Sequence, residues 1–112
     1  MKIISEQIGD VCVARISTTS LTASNAKDFE REIEPLVKSN DKIVMEMSEI
    51  DFIDSSGIGA ILCVMKELSA KGGKLEICSV SKPVRSIFEL TRLHKILEIV
   101  NTKEEALRSF EQ

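Results

Sequence analysis

Tryptophan and tyrosine are absent from this chain, phenylalanine occurs four times, and lysine and arginine form no block. A nucleic-acid surface needs clustered positive charge and, for single strands, aromatic stacking platforms, so no nucleic-acid partner is expected. The balance is mildly acidic, with 15 basic and 18 acidic residues spread along the chain. No apolar run reaches spanning length, and Met1-Lys2-Ile3-Ile4-Ser5-Glu6 lacks the apolar core of a secretion signal. A cytoplasmic protein with no membrane partner is the expectation.

Signatures of catalysis and metal binding are equally scarce. The only histidine, His94, stands between Leu93 and Lys95 at a helix-to-strand junction and reads as a surface or packing residue. No Cys/His cluster has metal-ligand spacing. A serine hydrolase elbow wants glycine two residues before the nucleophile, where Ile53 precedes Ser55 and Asp54 precedes Ser56. Gly72-Gly73 lacks the further glycines and lysine of a phosphate-binding loop, and Glu104-Glu105 reads as favourable charge in a first helical turn. No catalytic residue, metal or cofactor is therefore expected, and the chain is read as a non-enzyme. Cys12, Cys63 and Cys78, odd in number and set in apolar runs, are read as reduced core residues.

What is present suits one folded unit. A length of 112 residues with 43% hydrophobic and 29% charged content fits a single domain over 1–112 with one core. Ile3-Ile4 and Val11–Ile16, parted by Gly9-Asp10, predict an antiparallel hairpin. A helix is expected from Thr22 or Ser24, with Ala26, Phe29, Ile33, Leu36 and Val37 inward and a kink or end near Ile33 imposed by Pro35. Strands are expected at Lys42–Met47, Lys74–Val80 and Lys95–Val100, and helices from Pro83 and from Thr102, where Glu105 completes the spacing of a capping box. The order β-β-α-β-α-β-α-β-α predicts an α/β fold: a mixed, mostly parallel sheet of about five strands with about four helices.

Asp51–Leu62 carries the most information. Asp54, Ser55 and Ser56 are short polar residues of the capping type, and Ile58, Ile61, Leu62, Met65 and Leu68 follow at helical spacing, giving a helix to about Ala70 that Gly72-Gly73 stops. Its start gathers unpaired N–H groups, the positive end of the helix dipole and two hydroxyls, a spot suited to a phosphate. The topology puts that spot at the carboxyl end of the Ile43–Met47 strand, the edge where α/β sheets place their sites. Gly59, Ala60, Cys63 and Val64 make the helix flank unusually apolar, which reads either as a docking face for another protein or as a face covered by neighbouring elements.

Asp54-Ser55-Ser56-Gly57-Ile58-Gly59 and the apolar helix behind it, in a chain of this size and order, resemble the STAS domain of bacterial anti-sigma-factor antagonists, such as the sporulation antagonist. The resemblance covers nearly the whole chain. It implies that Ser55 is the phosphoacceptor of a serine kinase that is also the anti-sigma factor, that the unmodified protein binds this partner, and that a serine phosphatase resets the switch. It further implies that Asp54, Ser56, Gly57, Ile58, Gly59, Ala60, Cys63, Leu21 and Thr22 flank the site or contact the partner, and that the protein acts as a monomer. The family's G-x-L-D stretch is altered here to Thr18-Thr19-Ser20-Leu21-Thr22, with threonines at the glycine and aspartate positions and one residue inserted. A nucleotide-binding or scaffold module in a pathway without a sigma factor is the alternative.

Overall fold

In the computed structural model, which describes residues 1–111, the chain forms one five-stranded mixed sheet and four α-helices. β1 (Lys2–Ile8) and β2 (Val11–Ser17) pair antiparallel across a turn in which Gly9 adopts φ +61°, a conformation glycine takes without steric cost. The sheet continues with β4 (Lys42–Glu46), β6 (Lys74–Cys78) and β7 (Glu98–Ile99), all parallel to β2, in the spatial order β1-β2-β4-β6-β7. Two short strands stand apart from it: β3 (Ser20–Leu21) and β5 (Phe52–Ile53) pair parallel, Leu21 opposite Ile53. The predicted fold class, a mostly parallel mixed sheet of five strands with four helices, holds.

Alternation along the strands assigns each face its cover. Cys12, Ala14 and Ile16 of β2, Ile43 and Met45 of β4, and Leu75 and Ile77 of β6 pack with α1 (Ala26–Ser39), α2 (Ser55–Ala70) and α3 (Lys82–Leu90). Val11, Val13, Val44 and Cys78 point the other way, under α4 (Lys103–Phe110), which contributes Ala106, Leu107 and Phe110. Thr102 caps α4 as its spacing predicts, its Oγ1 accepting from Glu105 N at 3.1 Å.

Three expectations need correction. Pro35 does not end α1, which runs on to Ser39. The ring lies on the exposed face, so the carbonyl left without its donor meets water while Val37 on the opposite side still anchors the last turn in the core. The last strand is Glu98–Ile99 alone, because Arg92 at φ +61° turns the chain into a 3-10 turn over Leu93–Lys95. Cys12 and Cys78 are buried thiols whose pKa burial pushes up, but Cys63 is exposed.

Glu76, in the middle of β6, is wholly buried, with neither carboxylate oxygen hydrogen-bonded; its nearest cation is Lys74 Nζ at 3.5 Å, which also sits over the Phe110 ring. Only Glu76 of this pair is buried, Lys74 being 47% exposed, so removing the carboxylate relieves a desolvated, unbonded group and leaves the lysine in reach of water. Glu76→Met is therefore expected to raise the thermal midpoint by several degrees, and a lowered midpoint in calorimetry would show that the carboxylate is required.

Candidate functional site

The carboxyl edge of the sheet is organised by one side chain. Asp54 is the N-cap of α2: its Oδ1 accepts from Gly57 N at 3.0 Å, satisfying a helix donor that has no intrahelical partner. Its other oxygen, Oδ2, accepts from Ala23 N at 3.1 Å, across the chain in the loop between β3 and α1. These bonds, Gly57 first and Ala23 second, hold the Asp54 carboxyl below the usual carboxylate range.

A group more acidic in the folded than in the unfolded state adds stability above its unfolded pKa and loses it as pH falls through its folded one. Asp54→Asn offers one acceptor where two are used and turns an amide N–H toward a backbone donor. The variant is expected to melt below wild type at neutral pH, and the gap to begin closing as pH falls below about 4 and to vanish once it passes the lower folded pKa. A gap that persists undiminished in strong acid would mean that the charge of Asp54 is not what the two donors need.

Because Asp54 does the capping, the serines after it are released from that duty. Ser55 and Ser56 are exposed in the first turn of α2, and among the described residues neither hydroxyl makes a hydrogen bond. Gly57 lies beneath them, buried. A Cβ there would overlap the Leu21 carbonyl oxygen and stand 2.8 Å from Ile53 Cγ1. The Leu21 carbonyl is already the acceptor for Asp54 N at 3.2 Å, so the helix start is pressed onto the β3–β5 pair.

The loop before α1 is built by a residue that sequence reading passed over. Asn25 accepts from Thr22 N at 2.9 Å and donates to Ser20 O at 2.8 Å, folding 20–25 into a compact turn ahead of α1. The helix therefore begins at Ala26 and not at Thr22 or Ser24. An asparagine within a Ser/Thr cluster is the local signal for such a turn. Thr22 is half-buried beside Asp54's second anchor at Ala23, and Leu21 is fully buried.

The expected apolar flank of α2 divides in two. Ala60 and Val64 are 2% and 3% exposed and pack in the core with Gly57, Ile61 and Leu68 on the inward face. Gly59 and Cys63 face outward, and Ile58, Leu62 and Met65 are half-buried beside them. Ala60 and Gly57 thus set the height of the surface without forming it. Phe52 of β5, two residues before Asp54, is 51% exposed, an aromatic side chain that the sequence reading left out. Among the described residues no group of three His, Cys, Asp or Glu side chains is spaced to hold a metal, and no helix is long and apolar enough to cross a membrane.

A five-stranded mixed sheet that displays a capped helix start at its carboxyl edge, over a small parallel pair, defines a class of small α/β domain. The chain belongs to the STAS domain family, whose model matches residues 2–106. It is 28% identical over 111 residues to BtrV of Bordetella bronchiseptica, named as an anti-sigma factor antagonist, an alignment covering 98% of this chain and 95% of that protein. An anti-sigma factor antagonist from Thermotoga maritima superposes with a TM-score of 0.88 at 26% identity, over 98% of this chain and 95% of that one. SpoIIAA shares the fold at 22% identity in its unphosphorylated form, with a TM-score of 0.71 over 97% of each chain, and at 23% identity in its phosphorylated form, with a TM-score of 0.70 over 96% of this chain and 98% of that one.

Proposed function

We propose that this protein is a phosphorylation-controlled partner switch that binds an anti-sigma factor with serine kinase activity while Ser55 is unmodified and releases it when Ser55 carries phosphate. The observation that carries the reading is an exposed Ser55 hydroxyl, without a hydrogen bond among the described residues, at the positive end of α2 on the same helix as the half-buried Ile58 and Leu62. A serine phosphatase restores the binding form. The relatives named as anti-sigma factor antagonists support this class of partner.

Phosphate brings about −1.5 to −2 charges and three acceptor oxygens. At a helix N-terminus the fold tolerates that group, and SpoIIAA resembles this chain to the same degree in either form. The cost falls on the docked partner, whose apolar contacts would bury an unpaired charge. The domain has no turnover of its own in this reading; it is a cytoplasmic substrate of the kinase and acts as a monomer, with Asp54 and Gly57 shaping the site and Ser56, Ile58, Gly59, Cys63 and Thr22 meeting the partner. Thr22 takes away the carboxylate that the family's G-x-L-D stretch supplies, so the partner's matching surface is expected to carry fewer basic groups there.

Incubation with the cognate kinase and ATP, followed by fragmentation mass spectrometry, is expected to place a single phosphate on Ser55. Phosphate on Ser56, or none, would overturn the proposal.

A further inference from the structure

Between α1 and α2 runs a groove of about 200 Å³ whose floor is Ile33, Val37, Ala60 and Val64. Its rim carries Glu30 and Glu34 from α1 and Glu67 from α2, with the exposed Cys63 at the mouth. Lys38 pairs with Glu34 at 2.8 Å, and its charge also reaches Glu67. Neither Glu30 nor Glu67 has a salt-bridge partner among the described residues, so the rim is net negative around an apolar floor.

The groove is continuous with the switch site. Ser55, Gly59, Cys63 and Glu67 fall at four-residue steps along α2, all exposed, and a Cβ at Gly59 would meet nothing within 4 Å. A segment lying along this row would run about 12 Å from Ser55 to Cys63 at the mouth of the groove, over the open position of Gly59.

Size decides what the groove can hold. Pockets for cofactors and drug-sized ligands start at about 300 Å³, whereas 200 Å³ admits one or two side chains. One buried aliphatic side chain does not by itself offset the cost of association, so the groove works only for a molecule already held on α2. That argues against a second copy of this chain held by the groove alone.

We propose that the α1–α2 groove is the second anchor for the partner that reads Ser55, and that it receives from that partner an apolar side chain flanked by a lysine or arginine. This rests on the switch reading above. The apolar side chain covers Ala60 and Val64, and the basic group lies between Glu30 and Glu67. The groove then contributes to which partner is accepted, while the charge state of Ser55 decides when.

Cys63 supplies the test, since Cys12 and Cys78 are buried and only this thiol is open to exchange. Short peptides carrying Cys-x-x-Leu-Lys, Cys-x-x-Leu-Glu or Cys-x-x-Ser-Lys are equilibrated with the protein in a thiol redox buffer, and the mixed disulfide is quantified by mass spectrometry. The Leu-Lys peptide is expected to be favoured about tenfold over the Ser-Lys peptide and up to about fivefold over the Leu-Glu peptide, and Glu30→Lys with Glu67→Lys to reverse the Lys-over-Glu preference. Both positions are exposed, so the double variant should fold. Equal yields for the three peptides would overturn the proposal. So would sedimentation showing a self-associated species that the double variant dissolves, since the groove would then belong to a second copy. None of these arms touches Ser55, so a failed switch, read from the binding of the kinase to Ser55→Asp, is told apart from a failed groove.

Discussion

Ser55→Asp is expected to weaken binding of the anti-sigma factor partner by roughly 5- to 150-fold, while Ser55→Ala binds as wild type does. Ser55 is the first residue of α2, exposed, and its hydroxyl makes no hydrogen bond among the described residues, so alanine removes none. Aspartate puts a full negative charge next to Asp54, at the head of the half-buried row that carries Ile58 and Leu62 along α2. A partner covering that surface must strip water from the new carboxylate without a matching cation. The fold itself is expected to be undisturbed, because negative charge in a first helical turn is favourable. Isothermal calorimetry of both variants against the partner separates the cases: equal affinities would remove charge as the switch.

Gly57→Ala should have the largest effect on the molecule itself. The added methyl has no room: it would run into the Leu21 carbonyl, an oxygen fixed by its bond to Asp54 N, and into the Ile53 side chain. Backbone cannot yield as a flexible side-chain tip does, so α2 must lift from the β3–β5 pair. Overpacking of this kind costs about 1–3 kcal/mol, or roughly 5–15 °C in the midpoint of a domain this size. Lifting α2 also draws the Asp54 cap away from Ala23, so partner binding should fall along with stability. Thermal melts and amide exchange in the first turn of α2 check this; a variant with wild-type melting would mean that the helix start is more loosely seated than its geometry implies. Gly59→Ala, with open space around the new methyl, is the control expected to melt no lower than wild type.

Much of this architecture was legible in the residues. The β-rich runs Val11–Ile16 and Lys42–Met47, spaced by helical patterns, led to the mixed sheet, and Asp54-Ser55-Ser56 marked the start of α2. The rotation of that helix was not legible. Its first three turns are apolar nearly all round, so periodicity could not choose between a buried stripe through Ile58, Leu62 and Met65 and one through Gly57, Ala60 and Val64. Sterics chose the second, because the closest approaches of α2, to the Leu21 carbonyl and to α1, demand small or slim residues. The β3–β5 pair escaped for a different reason: two-residue strands carry no pattern, and their pairing is set by the seat that Leu21 and Ile53 share. Cys63 was misplaced by the same rotation.

The double grip of Asp54 has one further consequence. Both of its oxygens are used as acceptors, so a fixed anion stands next door to the hydroxyl proposed above as the phosphoacceptor. An incoming phosphate dianion is repelled by that neighbour, which a kinase must offset with cations of its own while transfer takes place. In the proposed cycle the same repulsion would make the phosphoserine less stable than one beside a neutral residue, so Asp54 would tilt the balance toward the unmodified form once a phosphatase opens the route.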